Sequence, residues 1–190
     1  KGATSFTNAV SRAMRQIDLD AQISALWTLH DDSRPADESC LEALLDAWRN
    51  TPTASLLGAK QLDWQAKSLH NVGLYAGRHN LVSLVVDGEP DQEQYDGRQD
   101  VLAVSLSGAL VPLATLRTWK GADSWFGTFA ESTDLCRRIC LGGGRVVVVP
   151  QARIAHRRAR FEGVRSKSGQ QVGDEDGRID PYLAKREANT

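Results

Sequence analysis

Four short stretches of this chain carry residue types that can do chemistry. His30-Asp31-Asp32-Ser33 sets two carboxylates side by side. Adjacent carboxylates repel, so such a pair usually serves a cation, and oxygen ligands suit Mg²⁺ or Mn²⁺. A metal held there would bridge phosphate oxygens. The same Asp-Asp ahead of Pro35 is equally ordinary turn and helix-start chemistry. Glu131-Ser132-Thr133-Asp134 puts carboxylates at the start of a late helix, where the helix dipole favours them. One of them could take a proton from an attacking hydroxyl, although capping also accounts for them. In His156-Arg157-Arg158 the imidazole can complete a divalent-metal shell and the guanidinium groups can hold phosphate. In Ser107-Gly108-Ala109 the missing side chain would let backbone amides approach a phosphate or sugar, and a β-bulge is the competing reading. Trp119, Trp125 and Phe126 could wall a sugar pocket or belong to the core. His70 and His79 have no partner motif and read as structural.

These groups must be positioned by an alternation of helices and strands. Phe6, Ala9, Val10, Ala13, Met14 and Ile17 recur at helical spacing after an N-cap at Thr4 or Ser5. The apolar residues 23–29 read as a buried strand that delivers residues 30–33 to its C-terminal edge. Leu41, Leu44, Leu45 and Trp48 form the apolar stripe of a helix. Residues 54–59, 72–76, 81–86 and 101–106 read as strands, and the polar residues 87–100 as a loop. A helix is expected over 112–119 and another over 131–141, the latter stopped by Gly142-Gly143-Gly144. Val146 to Val149, closed by Pro150, is the clearest strand. Helices and strands in this order predict an α/β domain, and the hairpin-like middle predicts a mixed sheet.

Composition narrows the function classes. The 190 residues are 41% hydrophobic and 25% charged, as in a globular domain. Lys plus Arg (23) and Asp plus Glu (24) leave a net charge of -1, which excludes a general attraction to nucleic acid or anionic membranes. The basic residues between Arg153 and Lys167 have only Phe161 as an aromatic, too little for a nucleic-acid stacking surface. Cys40, Cys136 and Cys140 are too few for a disulfide framework, have no zinc-site spacing and favour a reducing compartment. No apolar run approaches the roughly 18 residues of a membrane span. The start lacks an initiator Met and a signal-peptide core, so the chain reads as a piece of a longer protein. Residues 1–160 are expected to form the domain, and 161–190, rich in Arg, Gly, Ser, Gln and Asp, a mobile basic and polar arm or linker.

Taken in order, these motifs resemble family 2 glycosyltransferases of the GT-A fold, particularly actinobacterial enzymes of cell-surface polysaccharide synthesis. The resemblance is carried by Trp27-Thr28-Leu29-His30-Asp31-Asp32-Ser33-Arg34-Pro35, Glu89-Pro90-Asp91-Gln92, Asp100 to Val104 and Ser107 to Val111. It continues through Gly121-Ala122-Asp123, Phe126 to Leu135, Arg138 and Val146 to His156, and covers roughly residues 5–160. It implies a GT-A-like mixed sheet flanked by helices, with the nucleotide-binding N-terminal strand missing. It also implies metal-dependent, inverting transfer of a sugar from a nucleotide diphosphate donor to a glycan or lipid-linked acceptor. Asp31, Asp32 and His156 match the family's metal ligands for Mn²⁺ or Mg²⁺. Asp31, Ser107, Gly108, Arg157 and Arg158 would hold the donor and its phosphates. Ser33 stands where many members have a third aspartate, and Glu131-Ser132 where they have a Glu-Asp or Asp-Asp pair. Glu131 is then the leading base and Asp134 the second. The missing start would leave a surface able to recruit a second copy, and similar proteins continue into membrane segments, implying the cytoplasmic face of a membrane. The Ser33 and Ser132 departures also fit a degenerate binding or scaffold module without activity.

Overall fold

The computed structural model describes residues 5–17, 22–78, 81–97, 99–126 and 130–157. The expected arm at 161–190, His79 and Arg158 lie outside the described residues. The first helix, α1 (Phe6–Ile17), begins where Ser5 Oγ accepts the Asn8 backbone N–H at 3.2 Å, which identifies the cap. Among the described residues nine strands follow, interleaved with three more α-helices: β1 (Ala25–Thr28), β2 (Ser33–Pro35), α2 (Cys40–Asn50), β3 (Ala54–Leu62), β4 (Leu69–Asn71), β5 (Leu74–Ala76) and β6 (Leu81–Ser83). Then come β7 (Asp100–Val101), β8 (Ala109–Pro112), α3 (Leu113–Trp119), α4 (Glu131–Leu141) and β9 (Arg145–His156).

The main sheet runs β1-β8-β3-β9-β2, with β4 added to β3 and β7 to β9. β3 and β9 are parallel, and the other described pairings are antiparallel, so the sheet is mixed as expected. The central pair is buried on both faces. Val146 and Val148 enter one core with Leu56, Leu135 and Ile139, whereas Val147 and Val149 enter the other with Leu57, Ala59 and Leu44. Successive residues of a strand point to opposite faces, so an unbroken valine run is what a strand sandwiched between helices requires. At about 25 cal/mol per Å² of apolar surface, each fully buried valine contributes roughly 1.5–3 kcal/mol.

Pro150 does not end this strand, which continues to His156. The register with β3 jumps there, Ala59 facing Val149 but Lys60 facing Arg153. Three extra residues are thereby accommodated in β9, and proline, which has no N–H to give a ladder, is tolerated at such an irregularity. Other expected strands are also redrawn. Residues 72–76 are split at Gly73, whose φ is +99° and whose N–H is held by Asn71 Oδ1 at 2.7 Å. The 81–86 strand is shortened to β6. The 101–106 strand stops after Val101 because Leu102 and Ala103 turn their N–H groups to the Leu74 carbonyl. The Ser107-Gly108-Ala109 segment leads into β8, a central strand that the apolar quartet Ala-Leu-Val-Pro is too short to announce.

Candidate active site

The site is built by β-pairing between stretches far apart in sequence. β1 carries the chain to His30, and a turn closed by Ser33 Oγ donating to the His30 carbonyl (2.8 Å) leads into β2. β2 pairs with the end of β9, Ser33 opposite His156 and Arg34 opposite Ala155. The Arg157 N–H then donates to the Asp32 carbonyl at 2.9 Å. This register brings His156 Nε2 to 3.2 Å from Asp32 Oδ1 across 124 residues of sequence. His30 completes the group: one ligand atom each from His30, Asp32 and His156 lies within 4.8 Å of the others. The His30 ring lies edge-on to Phe6 (4.6 Å) and to His156 (5.4 Å between centroids), so α1 and β9 both fix its orientation.

Two imidazoles and a carboxylate have the donor chemistry to hold a divalent cation, and all three residues are half-buried. Asp31, expected as a ligand, is exposed in the turn and stands outside this cluster. The third member of the cluster is His30, while Asp31 lies exposed in the turn that Ser33 closes. Ser33 thus has a local structural task.

The second expected pair of acids divides. Glu131, the first residue of α4, is buried at 3% exposure. Asp134 forms an ion pair with Arg138 at 2.7 Å, and Arg138 also donates to the Gly121 carbonyl at 2.8 Å. Asp134 therefore orients Arg138, which ties α4 to the loop after α3. Ser132, standing in place of the expected acid, accepts the Leu106 N–H through its hydroxyl at 3.2 Å. The Leu106 carbonyl in turn accepts Thr28 Oγ1 at 2.6 Å. Through the loop before β8, the end of β1 and the start of α4 are thus tied together.

That loop is packed rather than open. Ser107 and Gly108 are buried, and a Cβ at Gly108 (φ +86°) would sit 2.2 Å from Ile154 Cγ1. The glycine is required by the close approach of β9, and its side-chain face is filled by protein. Of the aromatic residues, Phe126 is buried and Trp119 packs on the main core, with Gly142 lying against its ring; Trp125 is exposed. His70 is bound through Nδ1 to Asp87 at 2.6 Å. A groove of about 590 Å³ lined by Trp27, Pro35, Ala36, Asp37, Glu38 and Leu41 shares no residue with the cluster.

Burial pushes the Cys40 thiol up to about 11 and the Cys136 thiol up to about 12, so neither is poised as a nucleophile near neutral pH. At Asp37, at the start of the α2 connection, a hydrogen bond from Ser39 and the Arg153 guanidinium hold the carboxyl below its ordinary range.

Three features escaped the sequence reading. His30 was adjacent to the acids but not singled out as a member of the cluster. Lys60 is buried in β3 and held by Asp91 and Asp96, and a lysine inside an apolar run is itself a signal for such partners. Trp64 stacks with Arg34 and Arg157, which no local spacing announces.

Residues 26–178 match the family model described as "Glycosyl transferase family group 2". No curated protein matches the chain.

Proposed function

Starting from the chain's membership of glycosyl transferase family group 2, we propose that it catalyses metal-dependent, inverting transfer of a sugar, with His30, Asp32 and His156 as the metal ligands. The chain is a glycosyltransferase enzyme, and membership of the family implies a nucleotide-sugar donor and an acceptor. The observation that carries the metal reading is the convergence of two histidines and an aspartate on one point from opposite ends of the described chain. Two imidazoles in the set favour Mn²⁺ over Mg²⁺, which prefers oxygen. A bound divalent cation would supply positive charge opposite the leaving diphosphate.

The protein's own groups divide the remaining work. The buried carboxylate of Glu131 accepts the proton of the acceptor hydroxyl. The hydroxyl oxygen attacks the anomeric carbon on the face opposite the nucleotide, the new C–O bond forms, and the bond to the diphosphate breaks with its electron pair leaving on phosphate oxygen. Asp134, committed to Arg138, is a positioning residue for α4 rather than the base. The acceptor is a glycan or lipid-linked glycan of cell-surface polysaccharide, working at the inner face of the cell membrane. Among the described residues no helix is long and apolar enough to cross a membrane.

The test is a screen of the full chain against nucleotide sugars with Mn²⁺ or Mg²⁺, reading release of the nucleoside diphosphate, alongside direct Mn²⁺ titration. Asp32→Asn removes a direct ligand and is expected to weaken Mn²⁺ binding by at least the roughly 10- to 100-fold that loss of an outer-shell partner costs. Glu131→Gln is expected to lower turnover by roughly 10²–10⁴ while Mn²⁺ affinity stays unchanged. Wild-type turnover in Glu131→Gln would end its assignment as base.

A further inference from the structure

We propose that Gln61 is a positioning residue for the reaction: its buried amide holds the loop before β8, and through that loop and Ser132 it sets where α4 presents Glu131. The inference deepens the glycosyltransferase reading above and rests on it for the work that Glu131 does. Gln61 lies in β3 and is 3% exposed. Its Nε2 donates to the Ala59 carbonyl at 3.1 Å and to the Ser107 carbonyl at 2.8 Å. The Oε1 atom of the same amide is buried and has no hydrogen-bond partner among the described residues. Burying an unpartnered carbonyl oxygen is unfavourable, and an apolar side chain of similar length, such as methionine, avoids that cost. The presence of an amide here is therefore explained by its two N–H groups. Of their two bonds, the one to Ser107 joins stretches 46 residues apart.

The place of that bond gives it a consequence. β3 and β8 pair through Leu57 with Leu110 and Gly58 with Ala109, and the Ala59 N–H still reaches the Gly108 carbonyl at 3.2 Å. Just beyond, between Ala59 and Lys60, the register of β3 against β9 shifts, and the Gln61 side chain extends the hold on the loop past the backbone ladder. From Ser107 the hold passes back one residue. The Leu106 N–H donates to Ser132 Oγ at 3.2 Å, and Ser132 follows Glu131 in the first turn of α4. That helix start lacks a capping side chain. Ala130 stands at the cap position with φ +65°, a left-handed conformation that alanine keeps only where its surroundings impose it. The loop is one such surrounding. His30, Asp32 and His156 are anchored separately, by the β2–β9 pairing and the Arg157 N–H on the Asp32 carbonyl. β1, whose Thr28 also touches the loop, is held along its length by β8. Gln61 touches no reacting atom and acts on Glu131 through Ser107, Leu106 and Ser132.

The experiment compares Gln61→Met with wild type, both as the full chain, by amide hydrogen exchange, by Mn²⁺ titration and by turnover of the nucleotide sugar that the screen above selects. Exchange is expected to quicken about tenfold or more at the Leu106 amide, which donates to Ser132 Oγ, and at the Asp134 amide, which donates to the Ala130 carbonyl. Ala36 and Val148, bonded to the Arg153 and Gln99 carbonyls, should exchange as in wild type. The kcat is expected to fall roughly 10- to 100-fold, as when a change away from the chemistry misplaces a reacting group, with Mn²⁺ affinity and donor KM within about twofold. A merely structural glutamine would instead lower Mn²⁺ affinity and quicken exchange at all four amides. Ser132→Ala cuts the same path at its other end and should reproduce the Asp134 and kcat changes. In the double variant the two losses should not multiply, because one path carries both. Exchange within about twofold of wild type at Leu106 and Asp134 in Gln61→Met, or losses that multiply in the double variant, overturn the inference. Should Gln61→Met fail to fold by circular dichroism, Gln61→Asn, whose amide is one methylene too short for Ser107, is read in the same way. If exchange responds as expected but wild type turns over no nucleotide sugar, the hold on α4 stands and the transferase reading falls. If wild type is active and Gln61→Met matches its kcat, the transferase reading stands and the positioning role falls.

Discussion

Lys60 and the Arg34–Arg157 pair are cations of one sheet treated in opposite ways. Lys60 is 2% exposed, and its ammonium meets Asp91 at 3.0 Å and Asp96 at 2.7 Å. Neither Arg34 nor Arg157 pairs with an acid among the described residues, and both share one tryptophan instead. The difference follows from solvent. A charge taken fully out of water requires compensation from within the protein, so Lys60 collects carboxylates and in doing so pins the loop between β6 and β7 onto β3. A half-buried or exposed guanidinium keeps part of its hydration and can stay uncompensated. The paired charge thus serves the architecture, whereas the two stacked guanidiniums are held by an aromatic ring that leaves their charge in place.

This contrast is breakable by mutation. The largest effect is expected from Lys60→Met, which strands two partly buried carboxylates; urea unfolding should show a loss of about 3–5 kcal/mol. A loss under 1 kcal/mol would remove the architectural role. Next comes Gly108→Ala, which must displace Ile154 from a contact of 2.2 Å and accept a φ of +86°. Overpacking costs about 1–3 kcal/mol, and a thermal melt should fall accordingly. Smaller still is Arg145→Ala, which removes an exposed but forked pair with Asp100, whose two oxygens each accept at 2.9 Å. Such a pair contributes about 0.2–1 kcal/mol. Its pH dependence has a definite sign. The Arg145 hydrogen bonds hold the folded Asp100 carboxyl below its ordinary value of 3.8, so the contribution is complete above that value and is lost as pH falls through the lower folded pKa. The stability gap between wild type and Arg145→Ala should therefore close on acidification, and a gap constant from pH 7 to pH 2 would contradict the assignment. Smallest of all, Arg34→Ala and Arg157→Ala should change unfolding free energy by less than about 0.5 kcal/mol. A larger loss would mean that their stacking on Trp64 is architectural after all.

The elements that the sequence announced are those with a repeating pattern. α1, α2 and α4 each present an apolar stripe, and each was placed within a residue or two of its observed ends. The valine run of β9 was equally plain, because a doubly buried strand has no alternation to hide it. What failed was punctuation and brevity: Pro150 falls at a register shift instead of a strand end, and β8 has only four residues before α3 begins. In the site, residue types at 30–33, 131 and 156 already indicated acid, base and metal chemistry. Which of them meet was not legible, since Asp31 and His30 differ only in the direction that a turn gives them.

Sequence alone determined the chemical inventory here and the helical and doubly buried segments, because side-chain type and hydrophobic period are local properties. Tertiary structure decided that His30 rather than Asp31 joins Asp32 and His156, and that Trp64 gathers Arg34 and Arg157. Those outcomes depend on strand register, and register is set by the simultaneous burial of β3 and β9 on both faces, a constraint that no single stretch of the chain contains.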